Sequence, residues 1–429
     1  MSLGLRLVAK LSTPVHAPEQ FLSKVEDWIL HQYPEMLPRI RQGMVEAAPT
    51  LFCQLHPAAE EIELSLIDPE HIVVSANTTT VGPGYHIFLV SLLKKWADEF
   101  HASWDRHANS SDEYGDETEY FFSGDEPRLR EEMTRWLRAL AGMFFDGTFD
   151  ADDKDIALCM PLNPHFSETE LPAITSLGPR SWEWLRATAK DGNKGRDFFA
   201  WWGPGLNAEY YLGRALANMW TNVRWRTPVN DSERQVLKDV TDSLRSAYRL
   251  DPTLQLPWEE WKEIVELLDV DLAEKELVRS HARGIPKVGY RRRKVRVALP
   301  GGWTIQVSGS FSDFEEDENN DLSAWDPPRE IWFTAFSISG KSPRKAFEDA
   351  RKEIKKSKPE YLIERDSFIA QASINKKRRD SGEDYFILKS SNVAPGKRAV
   401  CTILFSPPED REWALETWRS IRPPKPREA

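Results

Sequence analysis

Cysteine is scarce in this chain, with 3 in 429 residues, namely Cys53, Cys159 and Cys401. They lie far apart and form no CxxC pair, which excludes a disulfide framework and a cysteine-rich zinc site and fits a reducing compartment. Long hydrophobic runs are missing as well. No stretch approaches the roughly 18 apolar residues of a membrane span. The opening MSLGLRLVAKLSTPVHAPEQ has a short mixed apolar stretch and no small-residue cleavage pattern, so the expected location is cytoplasmic. There is no GxSxG, no HExxH, no P-loop and no D-x-D-x-D-G calcium loop. His101 and His107 stand six apart, which suits no helical metal pair, and Cys53 with His56 has no second pair to complete a site. No cofactor and no metal are expected, and no internal repeat is present.

What is present is ordinary globular material with two peculiarities. Hydrophobic residues make up 40% and charged residues 29%, and 429 residues predict about two or three domains. The first peculiarity is 17 tryptophans, which serve packing and half-exposed binding surfaces alike. The second is charge: residues 1–280 hold 28 Lys and Arg against 46 Asp and Glu, a net of −18. Residues 281–429 hold 29 against 22, a net of +7. Opposite signs on the two parts either dock them or draw different partners.

Patterning predicts a strand at 3–9, a helix at 19–30, and a meander of strands at 51–55, 62–66 and 71–76 divided by Pro57 and Asp68-Pro69. VGPGYHIFLVSLLKKWADEF (81–100) reads as strand, turn and helix, with Ile87, Val90, Leu93 and Trp96 on a buried stripe. The polar segment 103–126 reads as a long exposed loop. Helices are expected at 129–145, 207–225, 230–248 (capped by Asp231) and from Pro257 towards Leu277, with a buried strand at 156–162. On the last helix Trp258, Trp261, Val265 and Leu268 share a face. A boundary falls at about 281–290. Beyond it come strands at 294–299 and 303–308 around Gly301-Gly302, a strand at 330–337, and a helix at 342–356 capped by Ser342. Strands at 361–374, 384–390 and 398–405 and a closing helix at 409–421 follow. The fold class is α+β: an acidic domain over 1–280 with a small sheet and many helices, then an antiparallel sheet flanked by helices over 285–425.

The order of elements in the C-terminal third, carried by Pro300-Gly301-Gly302-Trp303, the strand Ile331–Phe336 and the stretch Trp413–Pro423, resembles the Mog1/PsbP-like family of small α/β folds. The resemblance covers about residues 285–425. It implies an antiparallel sheet flanked by helices and a binding or chaperone-like role without shared catalytic residues, so no residue role is carried across. Residues 1–280 resemble no known family.

The most site-like turn is NTTTVGPGYH (77–86). A glycine-rich turn entering a helix presents N–H groups to an anion. Thr78 and Thr80 would add hydroxyls, Gly84 a close backbone approach, and Tyr85 and His86 donors or an acid–base pair. The alternative is a tight structural turn with His86 packed on its helix. Trp201 and Trp202 are adjacent beside Gly203-Pro204-Gly205, so one indole is a candidate for an exposed contact. The basic runs Arg291–Lys294 and Lys376–Arg379 read as solvated loops. The leading expectation is a non-catalytic protein-binding protein, immunity-like or chaperone-like, acting on another, basic protein through acidic surfaces. An enzyme with its site at Thr78–His86 is the alternative, and a nucleic-acid binder using the basic loops is a third. Neither a membrane nor a nucleic acid is the expected partner.

Overall fold

A computed structural model describes residues 3–36, 38–111, 113–147, 158–160, 172–268, 270–316, 321–338 and 342–424. The acidic run 150–155 and most of the strand expected at 156–162 lie outside them. The chain packs as two compact units: the first runs to Gly289, while Arg224–Arg226 belongs with Tyr290 onward in the second.

In the first unit, β1 (Gly4–Leu11) is followed by α1 (Pro18–Gln32) and by β2 (Arg39–Val45), β3 (Ala48–Gln54), β4 (Ile62–Asp68) and β5 (His71–Asn77). Strands β2 to β5 form an antiparallel meander, and β1 returns to pair with β5 from Gly4 opposite Asn77 to Lys10 opposite His71. Strand alternation turns Leu5, Leu7, Ile72 and Val74 to one face. There they meet Leu22, Val25 and Ile29 of α1 and Leu89, Leu93 and Trp96 of α2 (Pro83–Glu99), all buried in a single core. Each such side chain contributes about 1.5–3 kcal/mol of apolar burial.

The segment expected as an exposed loop closes the free edge of β1. Two short strands, β6 (Ala102–Ser103) and β7 (Gly115–Asp116), pair with the two ends of β1. Asn109, Asp116 and Thr118 are buried and hydrogen-bonded, while most of the segment's other described residues stay exposed as expected. α3 (Tyr120–Ser123) and α4 (Glu126–Gly142) follow.

Three short strands, β8 (Leu158–Met160), β9 (Ala173–Thr175) and β10 (Gly178–Arg180), make a small sheet before α5 (Trp182–Lys190) and α6 (Ala208–Thr221). The cap of α7 (Asp231–Leu250) is Asn230, whose side chain accepts from Glu233 N, and not Asp231. The helix expected from Pro257 to Leu277 is two: α8 (Trp258–Leu267) and α9 (Leu272–His281), the latter capped by Asp271. Trp261, Val265 and Leu268 are buried as their spacing predicts.

The second unit starts with the hairpin β11 (Lys294–Leu299) and β12 (Trp303–Ser308), turned by Gly301 and Gly302, both at positive φ. A seven-stranded antiparallel sheet follows, ordered β13 (Glu315–Glu316), β14 (Leu322–Asp326), β15 (Arg329–Ser337), β19 (Lys397–Phe405), β18 (Asp384–Ala394), β17 (Phe368–Arg378) and β16 (Tyr361–Arg365). The stretch expected as a single strand at 361–374 is thus a hairpin of β16 and β17. α10 (Pro343–Lys356) is capped by Ser342, which accepts from Lys345 N, and lays Phe347 and Ile354 on Ile369 and Val393. α11 (Arg411–Arg419) places Trp418 against the other face, where its Nε1 donates to Asn392 Oδ1 at 3.2 Å. The whole is an α+β protein.

Arg291, read as part of a solvated basic run, is buried, and its guanidinium pairs with Asp313 at 2.8 Å inside the second unit. A cation with a carboxylate partner leaves solvent where a run of like charges alone would not.

Candidate functional site

The turn Thr78–His86 is enclosed. Gly82, at φ 113°, lets the chain double back before α2. Trp201 N donates to Val81 O at 2.8 Å, and Gly84 N donates to Trp201 O at 3.0 Å. A Cβ on Gly84 would lie 2.3 Å from Gly203 O and 2.4 Å from Trp201 Cδ1, so glycine is required by close packing. Pro83 brings no N–H, and Tyr85 N and His86 N both donate to Gly82 O. The helix N-terminus therefore has no donor left for an anion, which overturns that reading of the turn.

Its hydroxyls are likewise used internally. Thr80 Oγ1 donates to Ala58 O at 2.8 Å. Thr78 Oγ1 lies 2.9 Å from His86 Nδ1, and His86 Nε2 lies 3.1 Å from Asp116 Oδ2. The Asp116 carboxylate also accepts from Thr118 N, Thr118 Oγ1 and Phe121 N at 2.7–2.9 Å. Burial pushes the Asp116 carboxyl up, but the bond to His86, its charge and the Thr118 donors outweigh this and hold it below the usual range. Hydroxyl, imidazole and carboxylate in a row have the composition of a nucleophilic relay. Here the side chains of His86 and Asp116 are 0% and 1% exposed, and Thr78 is 0% exposed, so no substrate reaches them. The row instead ties α2 to β7 and to the end of β5.

Tyr85 points elsewhere, into a buried group with Cys53, His56, Trp201 and Tyr210. Burial raises its phenol, with smaller contributions from Cys53 and Tyr210. Burial also pushes the Cys53 thiol up to about 12, so it is no nucleophile. His56 Nδ1 accepts from Ala58 N at 3.1 Å, and burial followed by Arg214 holds the ring neutral, well below the ordinary histidine range. Below this group Arg214 makes a two-pronged pair with Asp239 at 2.9 and 3.0 Å and donates to Leu55 O.

Trp201 is 1% exposed, with Nε1 donating to Gly205 O at 3.2 Å. Trp202 faces the other way, as two adjacent indoles must, but it is half-buried: Arg130 and Arg196 stand 5.3 and 4.3 Å from its ring centroid. Trp201 is therefore no exposed anchor, and Trp202 keeps only part of its surface open beside the two arginines.

A larger opening lies elsewhere in the first unit. It is a cleft of about 750 Å³ between the ends of β1, β4 and β5 and the segment 106–123. Seven carboxylates line it (Glu60, Glu61, Glu63, Glu113, Asp116, Glu117 and Glu119) against two cations, Arg6 and Arg106. Glu61 is paired with Arg41 and Glu119 with Arg128, both at 2.6 Å. Glu60, Glu63 and Glu113 make no ion pair among the described residues. The clue in the sequence was acidity along 103–126; what joins it to Glu60–Glu63 is strand pairing, which local pattern does not carry.

No known family pattern matches the chain, and no curated protein matches it. Among solved structures, one from Bacteroides thetaiotaomicron VPI-5482 is 15% identical with a TM-score of 0.26, and covers 32% of this chain. The chain spans 50% of that protein's length. The solution structure of PsbP (CyanoP) from Synechocystis sp. PCC 6803 matches 33% of this chain and 96% of its own, at 9% identity and a TM-score of 0.16.

Proposed function

We propose that this chain is a non-catalytic binding protein that receives a basic segment of another protein in the acidic cleft of its first unit. The observation that supports the reading most is the excess of carboxylates around one 750 Å³ cleft, six glutamates besides the buried Asp116 against two arginines. Glu61 and Glu119 have arginine partners, but Glu60, Glu63 and Glu113 form no ion pair among the described residues; like charges so gathered repel one another, and a cationic ligand relieves that repulsion. The net of −18 over residues 1–280 adds a field of the same sign, which steers a basic partner. An immunity-like or chaperone-like role, masking or escorting that partner, suits a site that binds and does no chemistry. The enzyme reading at Thr78–His86 is disfavoured by the enclosure of Thr78, His86 and Asp116.

The test is calorimetric titration with a synthetic Lys/Arg-rich peptide and its Asp/Glu-rich counterpart. Binding of the basic peptide alone is expected, weakening as salt rises. The triple change Glu60→Gln, Glu63→Gln and Glu113→Gln should reduce affinity at least tenfold while leaving circular dichroism unchanged. Equal binding by the triple variant sinks the proposal.

A further inference from the structure

In the second unit, strand register assembles a surface that its sequence runs do not announce. Rows across β15, β19, β18 and β17 place Phe336 opposite Arg398, Thr334 opposite Val400 and Ser391, and Trp332 opposite Thr402 and Lys389. Two residues further along the same face, Glu330 is followed by Leu404, Ile387 and Asn375, and beyond those stand Tyr385 and Lys377 near the hairpin tip. The residues between them in each strand point the other way, into the core: Ile331, Phe333, Leu388, Cys401 and Ile403 are each at most 1% exposed.

This outer face is open. Trp332 is 36% and Phe336 51% exposed, and Lys377, Lys389 and Arg398 are exposed too. α10 covers the far end of the face, packing on Ile369 and Val393, pairing with Glu364 and, through Ser357 just after it, bonding to Gln371. Lys377 and Lys389 make no ion pair among the described residues, and Arg398 bonds only to Ser391 Oγ, at 3.2 Å. The carboxylates of this face are Glu315, in the row of Ser323 and Trp332 at the sheet edge, Glu330, and Glu364, the last already paired with Arg351 and Lys355, with Asp321 tied to Thr334 at its margin.

We propose that this face binds single-stranded nucleic acid. Exposed aromatic rings offer planes on which bases stack whatever their identity. Trp332 and Phe336, four residues apart on one strand, stand about 13 Å apart along it, which admits separate bases. Lys377, Lys389 and Arg398 run beside them, where the phosphates of a strand lying across the sheet would pass. Thr402 and Ser391 between them supply hydroxyls for sugar and phosphate oxygens. A protein partner would favour a continuous apolar centre with charge kept to the rim. Here cations and hydroxyls interleave with the rings, which favours a polyanion with flat bases. The net of +7 over residues 281–429 adds a field of the right sign. The site is separate from the acidic cleft and does not depend on it.

The experiment is fluorescence anisotropy of the full chain with labelled oligo(dT) and oligo(U) of about 12 nucleotides, at roughly 50 mM salt and upward. Both strands are expected to bind, with affinity falling as salt rises. A preference for oligo(U) would assign RNA and a preference for oligo(dT) would assign DNA, and either supports the proposal. Trp332→Ala should weaken binding about tenfold, and Trp332→Phe should restore most of it. Lys389→Gln with Arg398→Gln should flatten the salt dependence by about one unit of log–log slope or more. No anisotropy change with either strand overturns the proposal. So does unchanged affinity in both variants, duplex binding as tight as single-strand binding, or binding of polyglutamate in place of the oligonucleotides. Thermal unfolding of each variant, checked against the parent, separates a lost site from a lost fold.

Discussion

Asn109 acts as a strand for Val8: its Oδ1 accepts from Val8 N at 2.7 Å and its Nδ2 donates to Val8 O at 2.9 Å. β6 and β7 pair with the two ends of β1 and leave its middle uncovered, and one carboxamide fills the gap. Asn109→Ala strips both bonds from a part-buried peptide. We expect a loss of about 1–3 kcal/mol in urea unfolding. Asn109→Asp keeps the acceptor and sets a carboxylate against the Val8 carbonyl, so it should do no better than alanine.

Asp116 makes acid stability a local matter. Its carboxyl lies below the usual range in the fold, so the unfolded chain binds the extra proton. Its stabilising contribution is complete above the unfolded value of about 3.9 and is lost as pH falls through the lower folded value. Asp116→Asn should cost about 2–4 kcal/mol at neutral pH and flatten the stability curve below about pH 4. An unaltered acid limb in the variant would refute this assignment.

Gly84→Ala should destabilise by about 1–3 kcal/mol, since the added methyl meets backbone as well as a buried indole. The same change at Gly124, where a Cβ would meet nothing within 4 Å, separates packing from backbone strain, because its φ of 66° penalises alanine by conformation alone. Comparing the two variants by thermal melts checks both terms.

Arg214 and Asp239 are both buried, and each is the other's main counter-charge. Arg214→Met should cost about 3–5 kcal/mol by stranding a carboxylate. Arg214→Met with Asp239→Leu should recover most of that loss. A double variant as unstable as the two losses added would show that the pair is not coupled.

Much of the fold could be read in advance, and the failures share a cause. The spacing of Ile87, Val90, Leu93 and Trp96 marks α2, and Ser342-Pro343 marks the start of α10, because both signals lie within a few residues. Strand β2, with Arg41, Gln42 and Gly43 at its centre, is an edge strand with little to bury and so shows no alternation. Asp116 and Thr118 sit in a stretch that reads as solvated, because their partner His86 lies 30 residues away. The turn Thr78–His86 was conspicuous for its composition, yet its polar atoms are spent on holding elements together. The acidic cleft and the basic–aromatic sheet face both depend on which strands lie side by side, information that no single window contains.

The position of β1 has a temporal side. It precedes β2 to β7 in the chain, yet it lies between β5 and the β6–β7 edge, with Gly4 opposite Asn77 and Leu5 opposite Asp116. On the ribosome its partners in β5 are made only after β2 to β4, and those in β7 only after α2 as well. The meander β2 to β5 pairs neighbour with neighbour and needs no such delay. β1 is then the strand that waits, and its arrival brings the 109–118 segment with it. Slowing or trapping that late step would leave the acidic cleft unformed while most of its sheet already stood.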